Sequence, residues 1–212
     1  MLRKITKGEE PASLGRWKRN NPNKRYHQIQ NQDSNVRQDM REQSLEEQFY
    51  LCGYCCQHIT DHTQCVNEHV EAQGINPNRT LDFNNIIASC KKLSQCDDAH
   101  KSQPLPLTPL MDECETEIRF KLSGRVEGVT ERSRDAIRVL NLGDHERHNK
   151  ILVEKRKQLI STMLFPNGVD AIDDPDDPEL TEMLIEDIST PRDGKLESFS
   201  PVLVNVLRQR IS

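Results

Sequence analysis

Two cysteine pairs constrain this chain more than any other feature: Cys52 and Cys55 in CGYC, and Cys90 and Cys96 in CKKLSQC. A tight turn between two cysteines brings their sulfurs to a common point. Two such knuckles make the closed four-thiolate site typical of structural zinc. Composition gives that site weight. Only 34% of the 212 residues are hydrophobic, 30% are charged, and the mean hydropathy is -0.78, against roughly 45–50% apolar residues in an ordinary globular domain. A single oily core organising the whole chain is not expected from this composition, and in such folds a bound metal supplies folding energy directly. The seven cysteines are an odd number and do not spread out as a disulfide framework. The N-terminal stretch lacks the apolar segment of a secretory signal, and no apolar run approaches the roughly 18 residues of a membrane span. A cytoplasmic, reducing setting without membrane contact is therefore expected, in which cysteine pairs mean metal. Cys56, Cys65 and His58 lie near enough to compete as ligands, and Cys114 has no evident role.

Charge is distributed unevenly along the chain. From Met1 to Arg41 there are ten Lys or Arg against four acids, and from Pro166 to Asp193 ten acids against one Arg. The first bias suits a polyanion and the second suits a protein partner or a solvated linker. Residues 1–32 read as a basic N-terminal arm, extended and little ordered. In it Trp17 stands among Arg16, Lys18 and Arg19, placed either to stack on a base or to pack on the body. Residues 33–110 read as a helix over 33–50, with Val36/Met40 and Leu45/Phe49 as i,i+4 pairs, followed by a short hairpin and a helix. The proline-punctuated QPLPLTPL closes that region. Residues 111–165 read as a helical domain with helices over 130–142, capped by Thr130, and over 145–164, where Leu152, Leu159, Ile160 and Met163 are the apolar positions. Residues 166–195 read as a flexible acidic linker. Residues 196–212, with Leu203, Leu207 and Ile211 on one helical face, read as a docking segment that packs back on the body or on a partner. No glycine-rich phosphate loop is present, which argues against nucleotide hydrolysis by this chain.

Zinc alone does not call for the residues between the knuckles. Glu68 and His69 are adjacent in NEH, Asn85 lies five residues before Cys90, and His100 lies four after Cys96. This order of parts resembles the HNH nucleases, whose ββα-metal fold carries an acid–His pair on the first strand, an Asn in the loop and a final His on the closing helix. The stretches KITKGEEPASLGRWKR, EQFYLCGYC, NEHVEAQ, NNIIASC, CDDAHKSQPLPLTPL, CETEIRFKLSGRVEG and RDGKLESF, which together span most of the chain, resemble the HNH subunit of the Septu anti-phage defence system, also found as an effector of some retrons. The fold class implied is α+β, a small ββα-metal core with a structural four-cysteine zinc site embedded in surrounding helices.

The resemblance implies a metal-dependent endonuclease that hydrolyses nucleic-acid phosphodiester bonds, with DNA favoured and RNA open. It also implies an SMC-like ATPase as the partner in a hetero-oligomer. Hydrolysis needs a base to deprotonate water and a cation to stabilise the phosphorane and the leaving oxygen. His69 is the candidate base, since a neutral imidazole accepts a proton near pH 7. Glu68 and His100 are the candidate ligands of one hard divalent ion, most plausibly Mg²⁺. Asn85 either holds the loop and orients His69 or coordinates the ion. His100 departs from the common pattern, in which the last His directly follows the final cysteine, so Asp97 or Asp98 is an alternative ligand. His58 and His62 are weaker contenders. The competing reading, from a different class, is a non-catalytic zinc module that binds nucleic acid or protein.

Overall fold

The Val36/Met40 spacing lies on a helix, as expected. In the computed structural model, which describes residues 3–29, 33–145, 147–164 and 178–211, α2 runs over Ser34–Glu47 and buries Val36, Met40 and Leu45. It stops before Phe49 and Tyr50, whose left-handed φ angles of 51° and 61° turn the chain into the first knuckle. The expected hairpin and helix follow as β1 (Cys65–His69), β2 (Ile86–Cys90) and α3 (Asp97–His100). The two strands are antiparallel, with Cys65 opposite Cys90 and His69 opposite Ile86. The free edge of β2 is closed by a side chain that mimics a peptide group. Gln48 accepts from the Ala88 N–H at 2.7 Å and donates to the Ala88 carbonyl at 2.9 Å. The Ala88 N–H would otherwise be buried without a partner, and the carbonyl also accepts from Gly53 N–H.

The basic N-terminal stretch is not an extended arm. Residues Ala12–Asn20 form α1, which packs on α2. Leu14, Trp17, Ile29, Val36, Met40, Phe83 and Ile86 form a small separate core. Trp17 is buried, and its indole N–H donates to Asp33 at 3.2 Å. The cations of α1 lie on the other side of an amphipathic helix, and charge counting along the sequence does not register that other side.

The region 111–165 is not purely helical. Strands β3 (Ile118–Phe120) and β4 (Val126–Gly128) form a second antiparallel pair. Ser123–Gly124 makes their turn, with Gly124 at φ 78°, and a Cβ there would lie 2.2 Å from the Val153 carbonyl oxygen. Both the dihedral and the close approach therefore require glycine. Thr130 caps α4 (Glu131–Val139) in a reciprocal box with Ser133, as expected. Helix α5 (Lys150–Leu164) buries Leu152, Val153, Arg156, Ile160 and Leu164, whereas Leu159 is half-buried and Met163 is 48% exposed. The buried stripe is thus rotated from the expected one and carries an arginine.

One C-terminal expectation is corrected, and the last segment takes the first of its two expected courses, packing back on the body. Residues 165–177 lie outside the described residues, but Pro178–Ser189, expected as linker, form helix α6, which buries Thr181 and Ile185 against the last helix. That helix, α7 (Ser200–Ile211), is no free docking segment. Val202, Leu203, Val204, Val206 and Leu207 are all buried, and Asn205 holds both sides of β3, accepting from Phe120 N–H and donating to the Ile118 carbonyl. The main core runs from Ile5 to Leu207 and contains all seven cysteines. It reaches further than the composition predicts, because thiols fill positions that aliphatic side chains usually occupy. Among the described residues no helix is long and apolar enough to cross a membrane.

Leu207→Ala removes a side chain that is 1% exposed and should cost about 2–5 kcal/mol. A lowered midpoint in urea denaturation is the expected result. An unchanged midpoint would restore α7 to the role of a detachable segment.

Candidate functional site

The first knuckle lies close against β2 at Gly53, where nothing larger than glycine fits. A Cβ at Gly53 would lie 2.8 Å from Ile87 Cδ1, and the Gly53 N–H donates to the Ala88 carbonyl at 3.0 Å. The knuckle is thereby pinned to β2, whose last residue is Cys90. The second turn carries left-handed residues at Ser94 and Cys96, with φ of 59° and 54°. The result is a convergence of the four predicted sulfurs. Cys52, Cys55, Cys90 and Cys96 are all buried, with Sγ atoms within 4.8 Å of one another; the Cys52–Cys96 and Cys55–Cys90 pairs each stand 3.9 Å apart. A tetrahedron with zinc–sulfur bonds of about 2.3 Å has sulfur–sulfur edges of about 3.8 Å. The donor set and its spacing fit zinc.

Hydrogen bonds to the sulfurs come from around the cluster. Cys90 N–H donates to Cys52 Sγ at 3.4 Å, and Gln95 Nε2 lies 3.7–3.8 Å from the sulfurs of Cys55, Cys90 and Cys96. Asn149 at the start of α5 holds Gln95 in turn. Burial pushes the Cys52 thiol up, but hydrogen bonds from its three neighbours outweigh this and bring it well below the usual thiol range. The remaining cysteines do not join. Burial raises Cys56, raises Cys65 to about 11 and raises Cys114 to about 12, so these thiols stay protonated and inert. Cys114, fully buried in the main core, packs as a small hydrophobe. His58 is exposed, and His62 pairs with Glu42 at 3.0 Å.

Strand alternation sends Glu68 and His69 to opposite faces of β1. Glu68 meets Tyr54, the residue inside the CGYC knuckle, whose hydroxyl donates to Oε1 at 3.0 Å. The same oxygen lies 2.5 Å from His100 Nδ1. His100 Nε2 donates to the Gln103 carbonyl at 2.9 Å, which leaves Nδ1 as the atom facing the carboxylate. Burial lowers His100, but Glu68 outweighs it and the net shift is upward. Asp97 completes the group. Burial, followed by the proximity of Glu68, pushes its carboxyl up to about 8. Asp98 does not take part, since its carboxylate accepts from Ser94 N–H at 2.6 Å. His100 sits at the end of a one-turn helix, not at its start, and this turn compensates for the three extra residues after Cys96.

On the other face, His69 is 4% exposed. Its Nε2 lies 2.9 Å from the Thr80 carbonyl oxygen. A carbonyl only accepts, so Nε2 bears the proton and Nδ1 of the neutral ring keeps its lone pair. Burial lowers the His69 pKa, with weaker upward effects from Thr80 and Glu68. Asn85 does not touch this ring. Its Oδ1 accepts from Glu71 N–H at 2.8 Å and its Nδ2 donates to Glu71 carbonyl at 3.0 Å, while Val70 N–H donates to the Asn85 carbonyl. Of the two roles open to it in the sequence, the structure gives it the holding of the loop after His69. The ring of Tyr26 stands edge-on to His69 at 4.8 Å. The Tyr26 hydroxyl accepts from Asn67 Nδ2 at 3.0 Å, so Tyr26 lies on the His69 face of the strand.

Among the described residues the four thiols are the one group of three or more acidic, thiol or imidazole donors that converge. Glu68 and His100 form a pair, with Asp97 beside it. Tyr54, Tyr26 and Thr80 escaped the sequence reading. Only Tyr54 carries a signal, because a tight knuckle fixes where the residue between its cysteines must point. No protein-family model matches the chain, and comparison with curated proteins finds no match.

Metal analysis by mass spectrometry should find one zinc per chain. Cys52→Ser should abolish it together with cooperative unfolding, whereas Cys114→Ala should keep full metal content. Equal zinc loss in both variants would remove the four-thiol assignment.

Proposed function

We propose that this chain is a metal-dependent HNH endonuclease, with the strand pair β1–β2 and helix α3 as its ββα-metal core and the four thiols as its structural zinc site. One observation carries the reading. The residues that the resemblance singles out fall around one strand end, with Glu68 bonded to His100 and, on the other face, His69 held through Nε2 so that Nδ1 carries the lone pair. His69 Nδ1 would take the proton of the attacking water, and the Thr80 carbonyl, by holding Nε2–H, keeps the ring in the tautomer that can do so. Asn85 keeps the loop, and hence the ring, in place. Glu68 and His100 would hold one hard divalent ion, Mg²⁺ being the expected one, with Asp97 as a neighbouring acid. Such an ion stabilises the charge of the phosphorane and of the leaving oxygen. Arg19, Lys24 and Arg25 are exposed on the segment leading to Tyr26 and suit a phosphate backbone of either DNA or RNA. DNA is the favoured substrate. An SMC-like ATPase is the partner that the resemblance supplies, and with α7 packed into the core its docking surface lies elsewhere than residues 200–212.

A second reading, a non-catalytic zinc module, is favoured by one observation: the His69 ring is nearly enclosed, with Tyr26 against it. His69→Ala separates the two. The nuclease reading expects loss of cleavage of duplex and single-stranded DNA and of structured RNA, assayed with Mg²⁺ and the ATPase partner, with zinc content and Tm near wild type. Its pH profile is set by the lowered pKa of His69. The base is neutral above that value, so the rate should be flat near pH 7 and fall only below 6.5, the ordinary histidine value. No cleavage by the wild-type protein under these conditions, with zinc and nucleic-acid binding retained in both wild type and variant, would leave the module reading standing. Cleavage by His69→Ala at the wild-type rate would remove His69 as the base.

A further inference from the structure

Arg156 is fully buried on α5 and has no carboxylate partner among the described residues. Its Nη1 donates to the Leu142 carbonyl at 2.8 Å and more weakly to Gly124 at 3.4 Å. The Phe120 ring lies 4.8 Å from its Cζ. Nε and Nη2 have no partner at all. A guanidinium in the interior without an anion is one of the costliest arrangements a fold can hold. Carbonyl dipoles and a ring face offset only part of that cost.

Burial lowers the pKa of Arg156 to about 10, so the group stays charged at neutral pH. The connection to the knuckle is short and runs through two hydrogen bonds. Leu140 carbonyl accepts from Cys96 N–H at 3.0 Å, and Leu142, two residues on, holds the guanidinium. A zinc ion bound by four thiolates is a dianion, and it sits in a core without any other buried cation nearby that the described contacts reveal. We propose that Arg156 is the counter-charge of the thiolate centre, a positioning residue whose fixed positive charge holds the dianionic metal site in the protein interior. This rests on reading the four thiols as a zinc centre. A bound divalent ion alone leaves the site negative, and the guanidinium supplies the compensation without competing for the sulfurs.

The test is zinc release from the full chain to a chromophoric chelator, with Tm measured alongside. Arg156→Met should release zinc at least about tenfold faster, the scale of outer-shell effects on metal affinity. Arg156→Lys, which keeps the charge and loses the planar fork, should recover most of the wild-type rate. In the cobalt-substituted protein the thiolate-to-metal charge-transfer band should shift in Arg156→Met and return in Arg156→Lys. If Arg156→Met lowers Tm but releases zinc at the wild-type rate, the residue only holds backbone carbonyls and the proposal is overturned. It is equally overturned if Arg156→Lys releases zinc as fast as Arg156→Met, since charge then rescues nothing. A wild-type protein that contains no zinc would instead overturn the metal reading itself, which the mass-spectrometric metal content reports separately.

Discussion

The convergence of four sulfurs from two distant turns is the contact on which the rest of the structure depends. It ties the end of α2 to the end of β2 and the start of α3, so the elements that carry Glu68 and His100 are set by thiol geometry before any apolar packing is counted. In a chain so rich in charge, directional bonds to one point replace part of the cohesion that an aliphatic core gives elsewhere. The knuckle also reaches the chemistry directly. Tyr54 lies between two of the sulfurs and donates to Glu68, the carboxylate that faces His100.

A division of labour follows from the alternation of β1. One face gathers the carboxyl groups of Glu68 and Asp97 with the imidazole of His100. The other face keeps a neutral imidazole whose proton position is dictated by a carbonyl. Neighbouring residues thereby acquire opposite electrostatic settings: Glu68 raises His100, and burial lowers His69. Two groups of the same chemical type driven apart in this way are what an acid–base site requires. Tyr26 lies against His69 on the second face, which makes the N-terminal segment part of the wall there and not an appendage.

The thiol centre and the helical half of the chain are likewise one electrostatic unit. Gln95 and Asn149 link the sulfurs to the start of α5, and the segment from Leu140 to Leu142 links them to its buried arginine. The second sheet, closed at a turn that only Gly124 can make, lies between that helix and α7. Changes in the helical half are therefore felt at the metal site through hydrogen bonds, not only through packing.

Local patterns in the sequence were enough to determine both knuckles, the start of α2 and the Thr130 cap. Each depends on residues within a few positions of one another, where spacing is geometry. Tertiary structure alone decided the remainder. Helix α1 packs because its apolar residues meet Ile29, Phe83 and Ile86, contacts between segments far apart in sequence. Helix α6 was hidden by acidic residues on its exposed side, and the β3–β4 pair by its brevity. Asn85 could have held either a loop or an ion until Glu71 was found opposite it. Arg156 reads as a surface residue in any linear window and becomes a core cation only when α5 is rotated against thiols some sixty to a hundred positions earlier. Charge and burial are properties of three-dimensional neighbourhoods, and for those residues the neighbourhood is made by chain segments that the sequence keeps apart.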